Sequence, residues 1–293
     1  AKLATLKRDR SIAYTPMNVI VPDAYGDWFN QRDDSYSRFL RMDGKKTEEM
    51  AIFKNFSLGV FTSRDAWAYG SNHKQVFDNM QKSINFYNQQ VDEASRLGEK
   101  FSPNLDPFKM KWDRPQKKNV RRGRRAEFAN RICINKSYYR PFFPQFLYFD
   151  RFWNNCVYQM PSIFPMNTSN NLVICSSGVG AKGYSCLMVN QIPCLDFLEK
   201  TQAFPRWLPG EQAKKAEGVL DFGEPNEVPS GFSPEALPHF QAAYPGMPMT
   251  EDDLFYYIYG ILHSEDYRTR YANNLMKELP RIPRVATYEQ FIA

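Results

Sequence analysis

Residues Leu172–Val189 read LVICSSGVGAKGYSCLMV, two apolar runs on either side of a glycine-rich loop. The loop Gly178–Gly183 matches G-x-G-x-x-G, which in a dinucleotide site opens a helix whose N-terminus holds pyrophosphate. Here a second strand-like run follows the loop and ends at Pro193, so no helix begins there. The pattern therefore favours a β-hairpin with glycines at its turn over a dinucleotide site.

Further short β-like runs lie close to this hairpin. Together they cover Arg131–Asn135, Gln145–Asp150, Leu172–Ser176 and Tyr184–Val189, and Pro, Asn and Gly clusters separate them. Such close spacing leaves little room for crossover helices, so it predicts a mixed or antiparallel sheet. With the helices described next, the sequence predicts the α+β class with a β-rich core.

Two regions have helical periodicity. Apolar residues between Val76 and Val91 recur at spacings of three and four, which predicts one long amphipathic helix from about Lys74 to Ser95. Near the C-terminus, Thr250 precedes three acidic residues and an apolar face, as in a capped helix. Ser264 then caps a second helix with a stripe of aromatic and leucine side chains, so we expect a C-terminal helical hairpin.

Proline content indicates the domain boundaries. Eight prolines fall between Pro205 and Pro248, which predicts a long irregular connection. We therefore expect a β-rich recognition core over residues 1–204, a proline-rich connection over 205–249, and a helical hairpin over 250–293 that packs on the core.

The positive charge of the chain is concentrated in one stretch. Ten basic and two acidic residues lie between Lys109 and Arg131, a formal charge of +8, whereas the whole chain carries +6. We call residues 109–131 the basic segment. Such a local excess is typical of a polyanion footprint, although a solvated basic loop would look similar. The candidate phosphate contacts are Lys109, Lys111, Lys117, Lys118, Arg121, Arg122, Arg124 and Arg125.

Candidates for base reading lie outside the basic segment. Arginine matches guanine edges, and Asn and Gln match adenine edges. Arg140 and Arg151 stand among aromatic residues that can hold a guanidinium flat, although the same rings fit a core equally well. The further candidates are Arg64, Lys182 at the tip of the glycine loop, and the Asn- and Gln-containing stretch Trp153–Asn171.

The sequence carries no catalytic or metal-binding pattern that we recognise. It lacks a Walker motif, the Asn/Asp-Pro-Pro-Tyr/Phe signature of adenine methyltransferases, and a Ser or Cys nucleophile with an evident His partner. Five cysteines without C-x-x-C spacing and three histidines argue against a disulfide framework or a metal centre, and fit a cytoplasmic protein. No apolar run approaches the ~20 residues that cross a bilayer. We therefore expect a binding module without catalytic residues, metal, cofactor or membrane contact.

Several blocks of the sequence resemble one family. The chain is similar to the C-terminal specificity domain of type ISP restriction–modification enzymes over about Trp28 to Pro283. The blocks that carry the resemblance are Phe56–Tyr69, Phe86–Val91, Tyr139–Phe142, Phe255–Tyr271 and Leu279–Pro283.

This resemblance implies a function for the chain and for a larger polypeptide. In the family, one polypeptide joins a nuclease, a helicase-like ATPase, an adenine methyltransferase and this target-recognition domain. The resemblance thus implies duplex DNA and the methyltransferase and helicase domains as partners, with S-adenosylmethionine, ATP and Mg²⁺ used by those other domains. It assigns no base-reading residue.

Two other functions remain open at this point. An RNA- or single-strand-binding module would use the aromatic rings as stacking platforms. A cofactor-binding enzyme would use the loop Gly178–Gly183.

Overall fold

The computed structural model describes residues 19–44, 50–128, 133–165, 171–211 and 228–293, together with Ala4, Lys7 and Arg8. The helices with described bounds are α1 (Asp65–Ala68), α2 (His73–Leu97), α3 (Arg114–Arg121), α4 (Met160–Ile163), α5 (Ala236–Gln241), α6 (Glu251–His263), α7 (Glu265–Arg270), α8 (Ala272–Lys277) and α9 (Tyr288–Ile292). The strands are β1 (Leu40–Arg41), β2 (Ser57–Leu58), β3 (Tyr69–Gly70), β4 (Ile134–Arg140), β5 (Phe143–Tyr148), β6 (Val173–Ser176), β7 (Cys186–Val189), β8 (Ile192–Pro193), β9 (Gln202–Pro205) and β10 (Arg281–Ile282).

The strands form two four-stranded sheets and one small pair. The first sheet has the order β3-β5-β4-β8, the second has the order β2-β9-β6-β7, and β1 pairs with β10. Neighbouring strands are antiparallel except β4 and β8, which run parallel. Val173 faces Val189 across β6 and β7, so the glycine loop closes a hairpin as predicted. The α+β class is confirmed.

The long helix α2 follows directly from its sequence. Asn72 caps it by accepting a hydrogen bond from the Gln75 N–H at 2.8 Å. Its buried stripe runs from Val76 through Tyr87 to Ala94 and packs on the first sheet. The helix spans 25 residues and ends at Leu97, with Gly98 as its C-cap. The φ of Gly98 is +55°, a backbone conformation that suits glycine.

The C-terminal helical pair is present with the predicted caps. Thr250 and Asp253 form a reciprocal capping box at the start of α6. Ser264 ends α6 and caps α7 through the Tyr267 N–H at 3.3 Å. The second arm is split into α7 and α8 at Tyr271, but Tyr267, Tyr271 and Leu275 remain buried as expected for core residues.

Two hydrophobic clusters form the core of the described residues. The first cluster packs α2 against the first sheet and contains the buried Trp153. The second cluster packs α6 to α8 around rings such as Phe204 and Phe255. The second sheet separates them, because successive side chains of a strand point to opposite faces. Along β6, Val173 joins the first cluster and Ile174 joins the second.

From residue 228 onward, the proline-rich stretch contributes its buried side chains to the second cluster. Phe232, Phe240 and Tyr244 are buried there, and α5 forms within the stretch. The N-terminal residues Tyr36 and Phe53 are buried in the same cluster. Packing therefore places Tyr36 and Phe53 in one cluster with the C-terminal helices, and the domain boundaries drawn from proline content remain predictions.

Candidate nucleic-acid interface

Helix α3 gives the basic segment two different faces. The Asp113 carboxylate caps the helix by accepting from the Gln116 N–H at 3.0 Å, and Pro115 occupies its first turn. Gln116 and Val120 are four residues apart and both buried, so one face turns inward. Four cations on the outward side are all exposed, three within the helix and one at its C-cap: Lys117, Lys118, Arg121 and Arg122.

Helix α2 holds the backbone that follows α3. The Tyr87 hydroxyl donates to the Arg124 carbonyl at 2.8 Å. The Asn88 side chain donates to the Ala126 carbonyl and accepts from the Ala126 N–H, both at 2.9 Å. These contacts fix the main chain to a rigid helix, so the arginine side chains project from a defined surface.

Two arginines at the end of the described basic segment have partners within the protein. Arg125 forms an exposed ion pair with Asp92 of α2. The Arg124 guanidinium lies 5.2 Å from the centre of the Phe152 ring. An exposed ion pair contributes little to stability, so Arg125 can exchange Asp92 for another anion at small cost.

The remaining cations of the basic segment are free to meet a ligand. Lys109 lies 5.3 Å from the centre of the Phe86 ring. Within the described ranges, Lys111 and the four outward cations of α3 form no ion pair with a carboxylate. Arg131, the last residue of the segment, lies outside the described residues.

The structure contradicts the prediction that Arg64 reads bases. Only 1% of Arg64 is exposed. Its Nη2 donates to Asp113 at 2.7 Å and to the Gln116 side-chain oxygen at 2.5 Å, and its Nη1 donates to the Trp153 carbonyl. Burial lowers the pKa of Arg64, and the charge of Asp113 opposes that shift. Arg64 therefore anchors the start of α3 to the loop after β5 and touches no external ligand.

Arg140 has the stacked geometry that its aromatic neighbours predicted. Its guanidinium carbon lies 4.1 Å from the centre of the Tyr139 ring. Its Nη1 donates to the Tyr139 carbonyl at 2.7 Å, and the side chain is half-buried. One edge of the guanidinium is thus held by the protein, and its role in base reading stays a prediction.

Arg151 and Lys182 are both exposed, on different parts of the molecule. Arg151 precedes Phe152, the ring beside Arg124, and therefore adjoins the basic segment. Lys182 lies at the turn between β6 and β7, on the second sheet, and its N–H donates to the Glu199 carboxylate at 2.9 Å. Their contacts with DNA remain predictions.

The stretch Trp153–Asn171 contains fewer exposed polar side chains for base reading than expected. Asn154 and Asn171 are each 2% exposed. The Asn171 amide donates to the carbonyls of Ile163 and Trp207, so it serves the backbone. Within this stretch Gln159 is exposed, while residues 166–170 lie outside the described ranges. Because Asn154 and Asn171 are buried, they are excluded as candidates for base reading.

Most backbone amides of the glycine loop are bonded within the protein, so few remain to bind a phosphate. The Gly178 N–H donates to the Glu199 carbonyl at 2.8 Å, and the Gly180 N–H donates to the Met276 carbonyl at 3.0 Å. The Ala181 and Lys182 N–H groups are also bonded within the protein. A Cβ on Gly178 would lie 2.5 Å from the Lys200 carbonyl oxygen, so close packing explains this glycine. Four of the six amides of the loop are thus bonded within the protein, and no helix begins after it to supply the N-terminus that a dinucleotide needs.

The described residues show two further properties. None of their His, Cys, Asp or Glu side chains form a group of three or more that would hold a metal ion. In the same ranges, no helix combines the length and apolar character that crossing a bilayer requires.

Sequence reasoning missed the residues of α2 that hold the basic segment. Tyr87 was assigned to the apolar stripe, and Asn88 was given no role. The available signal was polar atoms on a buried face: Ser83 is 1% exposed and donates to the Lys109 carbonyl at 3.4 Å. A buried polar group needs a partner, so a hydroxyl within an apolar stripe indicates a contacting segment.

The fold and this surface define an α+β binding domain with an open cationic face. A model of the family described as "Type ISP C-terminal specificity domain" matches residues 51–293. The chain therefore belongs to this family, which is a family of recognition modules. A search of curated proteins found no match.

Solved structures of type ISP and related enzymes resemble the chain over nearly its full length. One is a nuclease-deletion mutant of the type ISP restriction–modification enzyme LlaGI with a DNA substrate mimic, 29% identical with a TM-score of 0.76. The second is a DrdV–DNA complex, 30% identical with a TM-score of 0.76. The third is the ATP-dependent type ISP enzyme LlaBIII bound to DNA, 28% identical with a TM-score of 0.76.

The alignments cover nearly all of this chain and a minor part of each of the other proteins. They include 99%, 98% and 93% of this chain, respectively. They include 25%, 28% and 17% of the other chains, in the same order. The chain therefore spans about a quarter or less of the length of the enzymes it resembles.

Proposed function

We propose that this chain selects a short sequence of duplex DNA for a restriction–modification enzyme and carries out no reaction itself. One observation carries the proposal: a specificity domain presents a cationic face that α2 fixes in place. Within the described residues, the outward side chains of α3 have no carboxylate partner. Closely spaced cations repel one another, so leaving them unpaired favours an external polyanion.

Phosphate contacts and base contacts have separate roles in this mechanism. Lys117, Lys118, Arg121 and Arg122 neutralise phosphates and release counterions, which makes affinity strongly dependent on salt. These contacts fix the register of the duplex but carry no sequence information. Arg140, which is half-buried, and the exposed Arg151 then read base edges from positions near strand ends, and guanine is the base that an arginine fork matches.

The rest of the reaction belongs to other domains of a longer polypeptide. We propose an adenine methyltransferase with an ATP-dependent nuclease as the parent protein, with S-adenosylmethionine, ATP and Mg²⁺ bound outside this chain. The methyltransferase must extrude its adenine from the stack, and this domain would hold the neighbouring duplex in place. The methyltransferase and helicase domains would be its partners, in the cytoplasm.

The salt dependence of duplex binding tests the proposal. Binding of a duplex to the wild-type chain and to R121A/R122A/R124A/R125A is measured at several salt concentrations. We expect the slope of log K against log salt to fall in magnitude by about 3 to 4, since each lost phosphate contact removes about 0.9. An unchanged slope would show that these arginines do not touch phosphate.

Competition between nucleic acids tests the alternative of single-strand or RNA binding. We expect a duplex to displace a bound duplex at matched salt more effectively than either of its separated strands does. The exposed cations sit on a rigid helix, which suits the fixed phosphate spacing of a duplex. Preferential displacement by a single strand or by RNA would favour the other function.

A further inference from the structure

The hairpin between β4 and β5 ends in an exposed aromatic tip. Arg140 pairs with Phe143, so Pro141 and Phe142 are the two central residues of the turn. Phe142 is 85% exposed and Phe143 is 53% exposed. All four residues from Pro141 to Pro144 are exposed, and all four are apolar. Exposed apolar groups that lie together usually mark a binding surface.

The backbone of the tip is unusual for the residue it carries. Phe142 has a φ of +59°. A turn with proline first and a positive φ second normally has glycine or asparagine in that second position. A bulky side chain in this conformation costs free energy, so its retention indicates a role for the ring.

The tip stands on a well-packed base. β3 pairs with β5 no further toward the tip than Phe146, and β8 pairs with β4 no further than Tyr138. Beyond those residues the hairpin continues as a ribbon of two strands. The centres of the Tyr139 and Tyr69 rings are 4.7 Å apart. The Tyr139 ring also contacts the Arg140 guanidinium, whose carbon lies 4.1 Å from the ring centre. The ribbon therefore projects from the sheet without becoming loose.

We propose that this tip enters a groove of the duplex and inserts the Phe142 ring between two base pairs. The inference rests on the proposed function and extends it. A DNA groove admits a ribbon of two strands, and apolar wedges such as phenylalanine unstack base steps. Arg140 closes the last pair of the ladder, where its guanidinium reads a base edge beside the opened step. Phe143 packs behind the inserted ring.

The base of the hairpin and the basic segment both contact α2. His73 at the start of α2 lies 6.1 Å from the Phe146 ring, while Tyr87 further along α2 holds the basic segment. Tyr87 is fourteen residues after His73, which corresponds to about 20 Å along the helix. This length equals about six base pairs of B-DNA at ~3.4 Å each. The contact points of the hairpin base and of the basic segment on α2 are therefore separated by no more than the length of one short site.

Fluorescence of 2-aminopurine, which rises when the base is unstacked, tests the wedge. The wild-type chain first selects a duplex from a random pool, and 2-aminopurine then replaces single adenines along the selected site. We expect a rise at one step with the wild-type chain and with Phe142→Trp. We expect that rise to be lost with Phe142→Ala and with Phe142→Gly. Phe29→Ala is the matched control, because Phe29 is 78% exposed and lies outside the hairpin.

Thermal melting checks that the Phe142 variants remain folded. Phe142→Gly removes a residue that strains the turn, so its melting temperature should equal or exceed that of the wild-type chain. Suppose the wild-type chain selects a duplex but 2-aminopurine fluorescence rises at no position, or Phe142→Ala leaves the rise unchanged. Then insertion of the Phe142 ring is wrong, while the proposal of duplex binding is retained. If the wild-type chain selects no duplex, the proposed function itself fails.

Discussion

The basic segment and the C-terminal helices use the same cationic side chains in opposite ways. At the C-terminus, Arg270 forms an ion pair with Asp33 at 2.8 Å, and Lys277 forms one with Asp27 at 2.8 Å. These contacts join α7 and α8 to the N-terminal residues. In the described part of α3, by contrast, the outward cations have no carboxylate partner. Cations that pair with carboxylates stabilise the fold, whereas cations without a carboxylate partner are available to bind a ligand.

The largest effect should come from the buried arginine below α3. Arg64→Ala leaves Asp113, whose side chain is 8% exposed, without its partner. We expect a loss of about 3–5 kcal/mol in the free energy of unfolding, because an unpaired buried charge is costly. Urea denaturation measures this loss, with Arg121→Ala as an exposed control that should change little. A stable Arg64→Ala chain with altered site preference would restore Arg64 as a base reader.

A charge-matched pair of variants tests the contrast itself. K118Q/R121Q and R270Q/K277Q each remove two positive charges, from α3 and from the C-terminal helices respectively. We expect the first to lower duplex affinity by a factor on the order of ten to a hundred and to reduce the salt slope by about 2. The second should leave the slope as it was. Equal losses in both variants would mean that net charge matters and location does not.

The loss of site preference on removing a proposed base reader should be smaller than the loss of affinity in K118Q/R121Q. Arg140→Ala or Arg151→Ala removes one proposed contact to a base edge, worth about 1–3 kcal/mol of discrimination at one position. Binding to a library of single-base variants of the selected site measures this directly. If every position keeps its preference, neither arginine reads a base.

The smallest effect concerns a single N-terminal carboxyl group, that of Asp33, which pairs with α7. The Ser35 hydroxyl, and after it the Arg270 guanidinium, lower the pKa of Asp33 to about 2 from the ordinary 3.8. Because the pKa is lowered in the folded state, these contacts stabilise the protein above pH 3.8 and lose that effect as the pH falls through 2. An NMR titration should show the midpoint moving up in Arg270→Gln. A midpoint that stays at about 2 would assign the shift to Ser35 and the backbone alone.

Local patterns predicted the elements whose signals lie within one stretch of chain. The stripe of α2, the caps at Thr250 and Ser264, and the glycine hairpin all depend on neighbours a few residues apart. Each was correct in type and close in its bounds. The break at Tyr271 was not predicted, since the apolar stripe continues across it from Tyr267 to Leu275.

Features that depend on distant residues could not be predicted in this way. The pairing of β1 with β10 joins Leu40 to Ile282. The burial of Arg64 depends on Asp113, Gln116 and Trp153, which no local pattern connects to it. Proline counting likewise missed that Phe232 and Phe240 complete the second cluster. The charge of the basic segment was evident, but its attachment to Tyr87 and Asn88 required the fold.

Chemical acetylation of lysines tests most directly whether the free cationic face holds DNA. The chain is acetylated with and without saturating duplex, and mass spectrometry reports the rate at each lysine. We predict strong protection of Lys117 and Lys118 by the duplex and unchanged reactivity at Lys277, which already pairs with Asp27. If Lys117 and Lys118 react equally fast with the duplex bound, the cationic face of α3 is not the DNA-binding surface.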